Sequence, residues 1–157
     1  MSLIFQASGD TVSFIVSQLS FNGELMKEEL SIVIATGGME NYKLAQSLDF
    51  AFMVLYATLI FTGIIQLARK FPDQSSWQVT GFWFAITGPI AAACDAVENT
   101  FILLMVQEPA TFPDVYTVIH SLFALVKWIL LAGSITWSLS AVIILRKLQA
   151  TRTSEKK

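Results

Sequence analysis

The stretch Ala93-Cys94-Asp95-Ala96-Val97-Glu98-Asn99-Thr100 sets two carboxyls and an amide inside an otherwise apolar run. On a helix, residues at i, i+3 and i+4 share a face, so Asp95, Glu98 and Asn99 point one way. Carboxyls so placed can hold a proton, pair with a cation or orient a ligand's donors. Further along, Tyr116, His120, Lys127, Ser134 and Ser138 recur at intervals of four and seven, which at about 100° per residue makes one narrow polar stripe. Earlier, Asp49 and Tyr56 are seven apart, with Met53, Ile60 and Gly63 on the same face. These stripes are expected to meet, Lys127 and His120 serving as donors and Asp95, Glu98 and Asn99 shaping the site.

The charge balance narrows the chemistry. With Asp49, Asp95 and Glu98 against Lys127 and His120, at least one carboxyl is expected to carry a proton, because burial and a like-charged neighbour both disfavour the ionised form. Asp95, Glu98 and His120 are metal-ligand types, but a site needs more convergent donors and an ordered outer shell, so no metal and no cofactor are expected. Cys94 falls off the Asp95 face and reads as a packing residue. There is no glycine-rich phosphate loop, Ser-His-Asp order or zinc-protease motif.

The elements that must position these residues follow from composition. Of 157 residues 54% are hydrophobic and 14% charged, with a mean hydropathy of +0.61, a balance foreign to disordered and nucleic-acid-binding chains. Net charge is -2, from 10 Lys+Arg and 12 Asp+Glu, so no basic excess faces phosphates and no nucleic-acid partner is expected. The one cysteine excludes an internal disulfide.

A membrane-spanning helix needs roughly 20 mostly apolar residues. Three stretches qualify, at about 48–68, 77–106 and 115–148, so the expected fold is an all-α integral membrane protein with three long transmembrane helices, four being the alternative. Residues 46–148 would then form the bundle, 1–45 an amphipathic outer-face region and 149–157 a basic tail. Ser75-Ser76-Trp77-Gln78 resembles a capping box for the second helix, Pro89 is expected to bend it, and Pro113-Asp114 suits the start of the third. Trp77 and Trp128 fall at expected boundary depths. Gly88, Ala91 and Ala92 form a small-residue face that admits close helix packing and suggests self-association.

Residues 1–45 show neither a charged leader nor a cleavage pattern, and no signal peptide is expected. Leu3 to Phe5, Val12 to Ile15 and Ser31 to Ile34 are apolar, but Asp10, Glu24, Lys27, Glu28 and Glu29 interrupt them. One or two interfacial helices packed on the ends of the longer ones fit this pattern. Arg69, Lys70, Arg146, Lys147, Arg152, Lys156 and Lys157 gather at one end of the three crossings, which places the N-terminus outside and the C-terminus in the cytoplasm. Counting back about 20 residues from that end puts Asp49, Asn99 and Lys127 at one depth, near the outer boundary.

Asp95-x-x-Glu98-Asn99 is similar to an acidic helix motif of the membrane-associated eicosanoid and glutathione transferases over about five residues. The basic residues that hold glutathione in those enzymes have no counterpart in the second helix, so the activity is not carried over. The leading expectation is a non-enzymatic site that binds a lipid, a small amphiphile or a partner helix. Partners would be membrane lipids, a second copy of the chain or another membrane subunit. Proton-coupled transport in an oligomer through Glu98 or Asp95 is the alternative, and a lipid-modifying enzyme a third. A network that only fixes helix register would use the same residues.

Overall fold

In the computed structural model, which describes residues 14–154, every regular element is helical. A short α1 (Phe14–Gln18) and α2 (Gly23–Ala35) precede three long helices, α3 (Met39–Ala68), α4 (Ser76–Met105) and α5 (Asp114–Ser154). The last three are long and apolar enough to cross a membrane. Leu3 to Phe5, Asp10, Val12, Lys156 and Lys157 lie outside the described residues, as does the side chain of Arg152.

Local chemistry accounts for the boundaries. Ser75 caps α4 by accepting from the Gln78 N–H at 3.3 Å. The Gln78 side chain accepts from the Gln74 N–H at 2.8 Å, one position earlier than a capping box requires. Asn22 caps α2 through the N–H groups of Glu24 and Leu25. That helix stops at a left-handed Gly37 (φ 70), and the next N–H, of Gly38, bonds back to Val33 at 2.9 Å. α4 runs unbroken through Pro89.

Two helices are longer than the apolar runs suggest. α3 begins at Met39, not near Leu48, because Glu40 and Lys43 pair on its outside at 3.3 Å while Tyr42 packs into a core. α5 continues past Leu148 to Ser154, since no proline and no helix-ending glycine follows Gly133. α2 has 13 residues, about 20 Å of helix, too short for a crossing.

α4 is the central helix, packed along both α3 and α5, which meet each other much less. Glycines set the closest approaches. A Cβ on Gly81 would lie 2.5 Å from the Ala68 methyl and 2.7 Å from the Trp137 ring, and one on Gly88 would lie 2.8 Å from Ile60. The small-residue face is therefore taken by α3 of the same chain, and Gly88 offers no free surface to a second copy; Ala91 is buried and Ala92 half-buried. One apolar core joins α3, α4 and α5 around Ile64, Ala68, Ala85 and Trp137. The other seats Met26, Leu30 and Val33 of α2 against Ile102, Met105, Val106 and Phe112, so α2 closes the hairpin end of the bundle.

Burial is inverted relative to a water-soluble protein. Leu59 and Trp83 are 72% and 71% exposed, while Glu98 and His120 are 0% exposed. Large aliphatic residues cover much of the outside, while Asp95, Glu98 and Lys127 are buried between the apolar cores, a distribution compatible with a hydrocarbon surround.

Candidate functional site

The polar stripes of α3, α4 and α5 meet below the α2 cap. Lys127 Nζ lies 2.9 Å from Asp95 Oδ1 and 2.6 Å from Glu98 Oε2. It touches both because the carboxyls, three residues apart, stand one above the other on the same face of α4. The Tyr56 hydroxyl donates to Asp95 Oδ2 at 3.0 Å, and Asn99 Nδ2 donates to Asp49 Oδ2 at 2.8 Å. Six of the residues marked by spacing thus fall into two bonded groups, Tyr56–Asp95–Lys127–Glu98, in which Lys127 links the α4 carboxyls to α5, and the Asn99–Asp49 pair between α4 and α3.

Two others behave differently. Tyr116 lies outside both groups, its ring edge-on to Phe101 at 5.5 Å. His120 is fully buried, and the Glu98 main chain lies against its ring. Neither imidazole nitrogen makes a well-formed hydrogen bond among the described residues, which leaves open the donor role that the spacing suggests for His120. Two turns further along α5 than Lys127, Ser134 pairs with Thr87 across α4 and α5.

The spacing does not reveal Gln18. This side chain, 4% exposed, enters the cluster from α1. Its Nε2 donates to Glu98 Oε1 at 2.5 Å, and its Oε1 accepts from Trp128 Nε1 at 2.9 Å. Trp128, which falls at an expected boundary depth, turns its indole N–H inward to this amide. A five-residue helix has too few positions to display a period. Only Asn22, as a helix-capping type, marks the turn that sends the chain back.

That turn is strained. Phe21 adopts φ 51, a region that bulky side chains rarely occupy. Its N–H donates to the buried Ser121 Oγ at 3.2 Å, and Ser17 Oγ donates to Glu29 at 2.6 Å. α1 is pinned at both ends of Gln18.

The electrostatics are lopsided. Each carboxyl takes one neutral donor: Asn99 on Asp49, Tyr56 on Asp95, Gln18 on Glu98. Two of them share one ammonium. Three carboxyls against one cation leave an excess of negative charge, which a buried site accommodates with a proton or with further donors. An anionic group is disfavoured here, and a donor-bearing neutral or cationic group fits. No cluster of three or more metal-ligating side chains occurs among the described residues.

No known protein family, curated protein or solved structure matches this chain.

Proposed function

We propose that this chain is an integral membrane binding protein for a small amphiphile. The polar head of the ligand takes the place that Gln18 holds between Glu98 and Trp128. The carrying observation is the Gln18 bridge itself: a buried amide on a short helix, donating to a carboxyl and accepting from an indole. A primary or secondary amide, or a protonated amine beside a hydroxyl, offers the same donor and acceptor. The buried, unpartnered His120 beside Glu98 supplies one more hydrogen-bonding position for such a head. The apolar tail would leave between helices into lipid, as exposed Ile15 and Val16 on α1 already do.

The basic end of the bundle, with Arg69, Lys70, Arg146 and Lys147, faces the cytoplasm in this reading, and the α2 cap and the site face outward. Binding of N-dodecanoyl ethanolamide to a variant keeping Trp128 as its sole tryptophan, read by Trp128 fluorescence, tests the proposal. Gln18→Ala removes the competitor, so affinity is expected to rise about tenfold or more, the worth of one charge-assisted hydrogen bond. Glu98→Gln in the same background is expected to abolish that gain. Equal affinity in all three proteins, or no binding in any, would overturn the reading.

A second reading is supported by the two buried carboxyls, Asp95 and Glu98, that share Lys127, which suits proton-coupled permeation by an oligomer. It requires pH-dependent flux in proteoliposomes that Glu98→Gln eliminates.

A further inference from the structure

We infer that the groove between α3 and α5, at the end of the bundle opposite the Gln18 site, holds one acyl chain of an anionic phospholipid, with its phosphate on Lys70. The groove has a volume of about 440 Å³ and is lined by Leu59, Gly63, Leu67 and Lys70 of α3 and by Ile135 and Ser138 of α5. It exists because α4 holds the other two long helices apart. Gly63 deepens it: a Cβ there would meet no atom within 4 Å, in contrast to the crowded positions of Gly81 and Gly88.

The lining suits a hydrocarbon chain. The Ser138 hydroxyl donates to the Ser134 carbonyl at 2.7 Å, and the Ser134 hydroxyl donates to the Leu130 carbonyl at 2.9 Å. Ser134 also pairs with Thr87, so both serine hydroxyls are already bonded within the protein. The length suits one leaflet. From Leu59 to Lys70 is about 16 Å of helix, close to half of the roughly 30 Å hydrocarbon thickness. With Lys70 at the interface, Leu59 falls near the midplane and Gln66 lies one turn below the headgroup, at the depth of the ester carbonyls.

The charge suits an anion. Lys70 makes no ion pair among the described residues, and Arg69 adjoins it. Asp73, the nearest acid in sequence, accepts from the Gln78 amide at 3.2 Å. A basic mouth on an apolar, one-leaflet groove selects an anionic lipid over a zwitterionic one. The inference rests on membrane placement of α3 and α5 but not on ligand binding at Gln18.

The test is native mass spectrometry of the full chain released from nanodiscs containing equal phosphatidylglycerol and phosphatidylcholine with the same acyl chains. Wild type is expected to retain one phosphatidylglycerol, favoured at least fivefold over phosphatidylcholine. Lys70→Gln is expected to lose that preference, and Lys43→Gln, at the other end of α3, to keep it. Gly63→Phe fills the groove from an open position and is expected to lose both adducts, while Gly63→Ala folds alike and retains them. Preference unchanged in Lys70→Gln, adducts retained by Gly63→Phe, or a lipid-free dimer that Gly63→Phe dissociates would each overturn the proposal. Because Gln18→Ala leaves this groove intact, failure here and failure of the amphiphile reading are separable.

Discussion

Replacing Lys127 by Met deletes the ammonium between two carboxyls. Its side chain is 5% exposed, against 8% for Asp95 and 0% for Glu98, so water cannot take its place. Breaking one buried ion pair by removing a partner costs about 3–5 kcal/mol, because the remaining charge is left uncompensated. Here two charges are stranded, although Tyr56 and Gln18 still donate to them. Proton uptake by one carboxyl limits the damage, and about 3–5 kcal/mol is the expected loss for the whole substitution. Reversible unfolding in mixed micelles, followed by far-ultraviolet circular dichroism, measures it. In the triple variant Asp95→Asn, Glu98→Gln, Lys127→Met no charge remains, and most of the loss should return. For a coupled pair, Glu98→Gln and Lys127→Met should deviate from additivity by more than about 0.5 kcal/mol. Additive effects, or a Lys127→Met loss below about 1 kcal/mol, would refute the claim that this lysine neutralises both acids.

Further outcomes follow from packing and surface chemistry. Gly81→Ala should destabilise by about 1–3 kcal/mol, since its methyl runs into Ala68 and the Trp137 ring, whereas Gly63→Ala should not; the same micelle titration compares them. In a Cys94→Ala background, Ala150→Cys should react with an impermeant maleimide only from the cytoplasmic side of oriented vesicles and Ala110→Cys only from outside, and the reverse pattern would invert the topology. Lys27 is held above its ordinary 10.5 by hydrogen bonds to Asp114 and Glu24. Its contribution to docking α2 is therefore present at neutral pH and is lost only as pH rises through the raised value. Wild type should exceed Lys27→Ala in thermal midpoint up to that value, and the two should converge above it.

How much of this could be read in the sequence differs between long helices and short ones. The three long apolar helices were legible because apolar length is a one-dimensional property, and the stripes on α3, α4 and α5 were legible because four- and seven-residue intervals fix a helical face. Asp95, Glu98 and Lys127 could be matched from that spacing together with charge complementarity. The start of α3 was hidden because Tyr42 is buried by α2 residues from elsewhere in the chain, a tertiary effect absent from any local window. That His120 pairs with none of the carboxyls was equally hidden, since spacing gives its face but not its partners. Gln18 lay beyond reach because five helical residues carry no periodic signal and its partners, Glu98 and Trp128, are 80 and 110 positions away.

The placement of α1 is a balance of opposing terms, and that balance has a measurable consequence. Gln18 contributes one hydrogen bond to a carboxyl and one from an indole, worth about 1.5–3 and about 1 kcal/mol. Against them stand the left-handed Phe21, at about 1–3 kcal/mol, and a helix too short to be stable alone. Ser17 on Glu29 and the Phe21 N–H on Ser121 add two further bonds, yet a five-residue helix held by a few side-chain contacts has a smaller net hold than α4, which is packed on two sides. Hydrogen exchange of the α1–α2 turn, including the Phe21 amide, should proceed by local opening well before the α4 amides exchange. Trp128→Phe, which removes the indole donor and keeps a ring, should speed turn exchange about fivefold, corresponding to about 1 kcal/mol. Exchange of that turn as slow as the α4 core, or unaltered by Trp128→Phe, would mean that α1 is a fixed strut and that no ligand displaces Gln18.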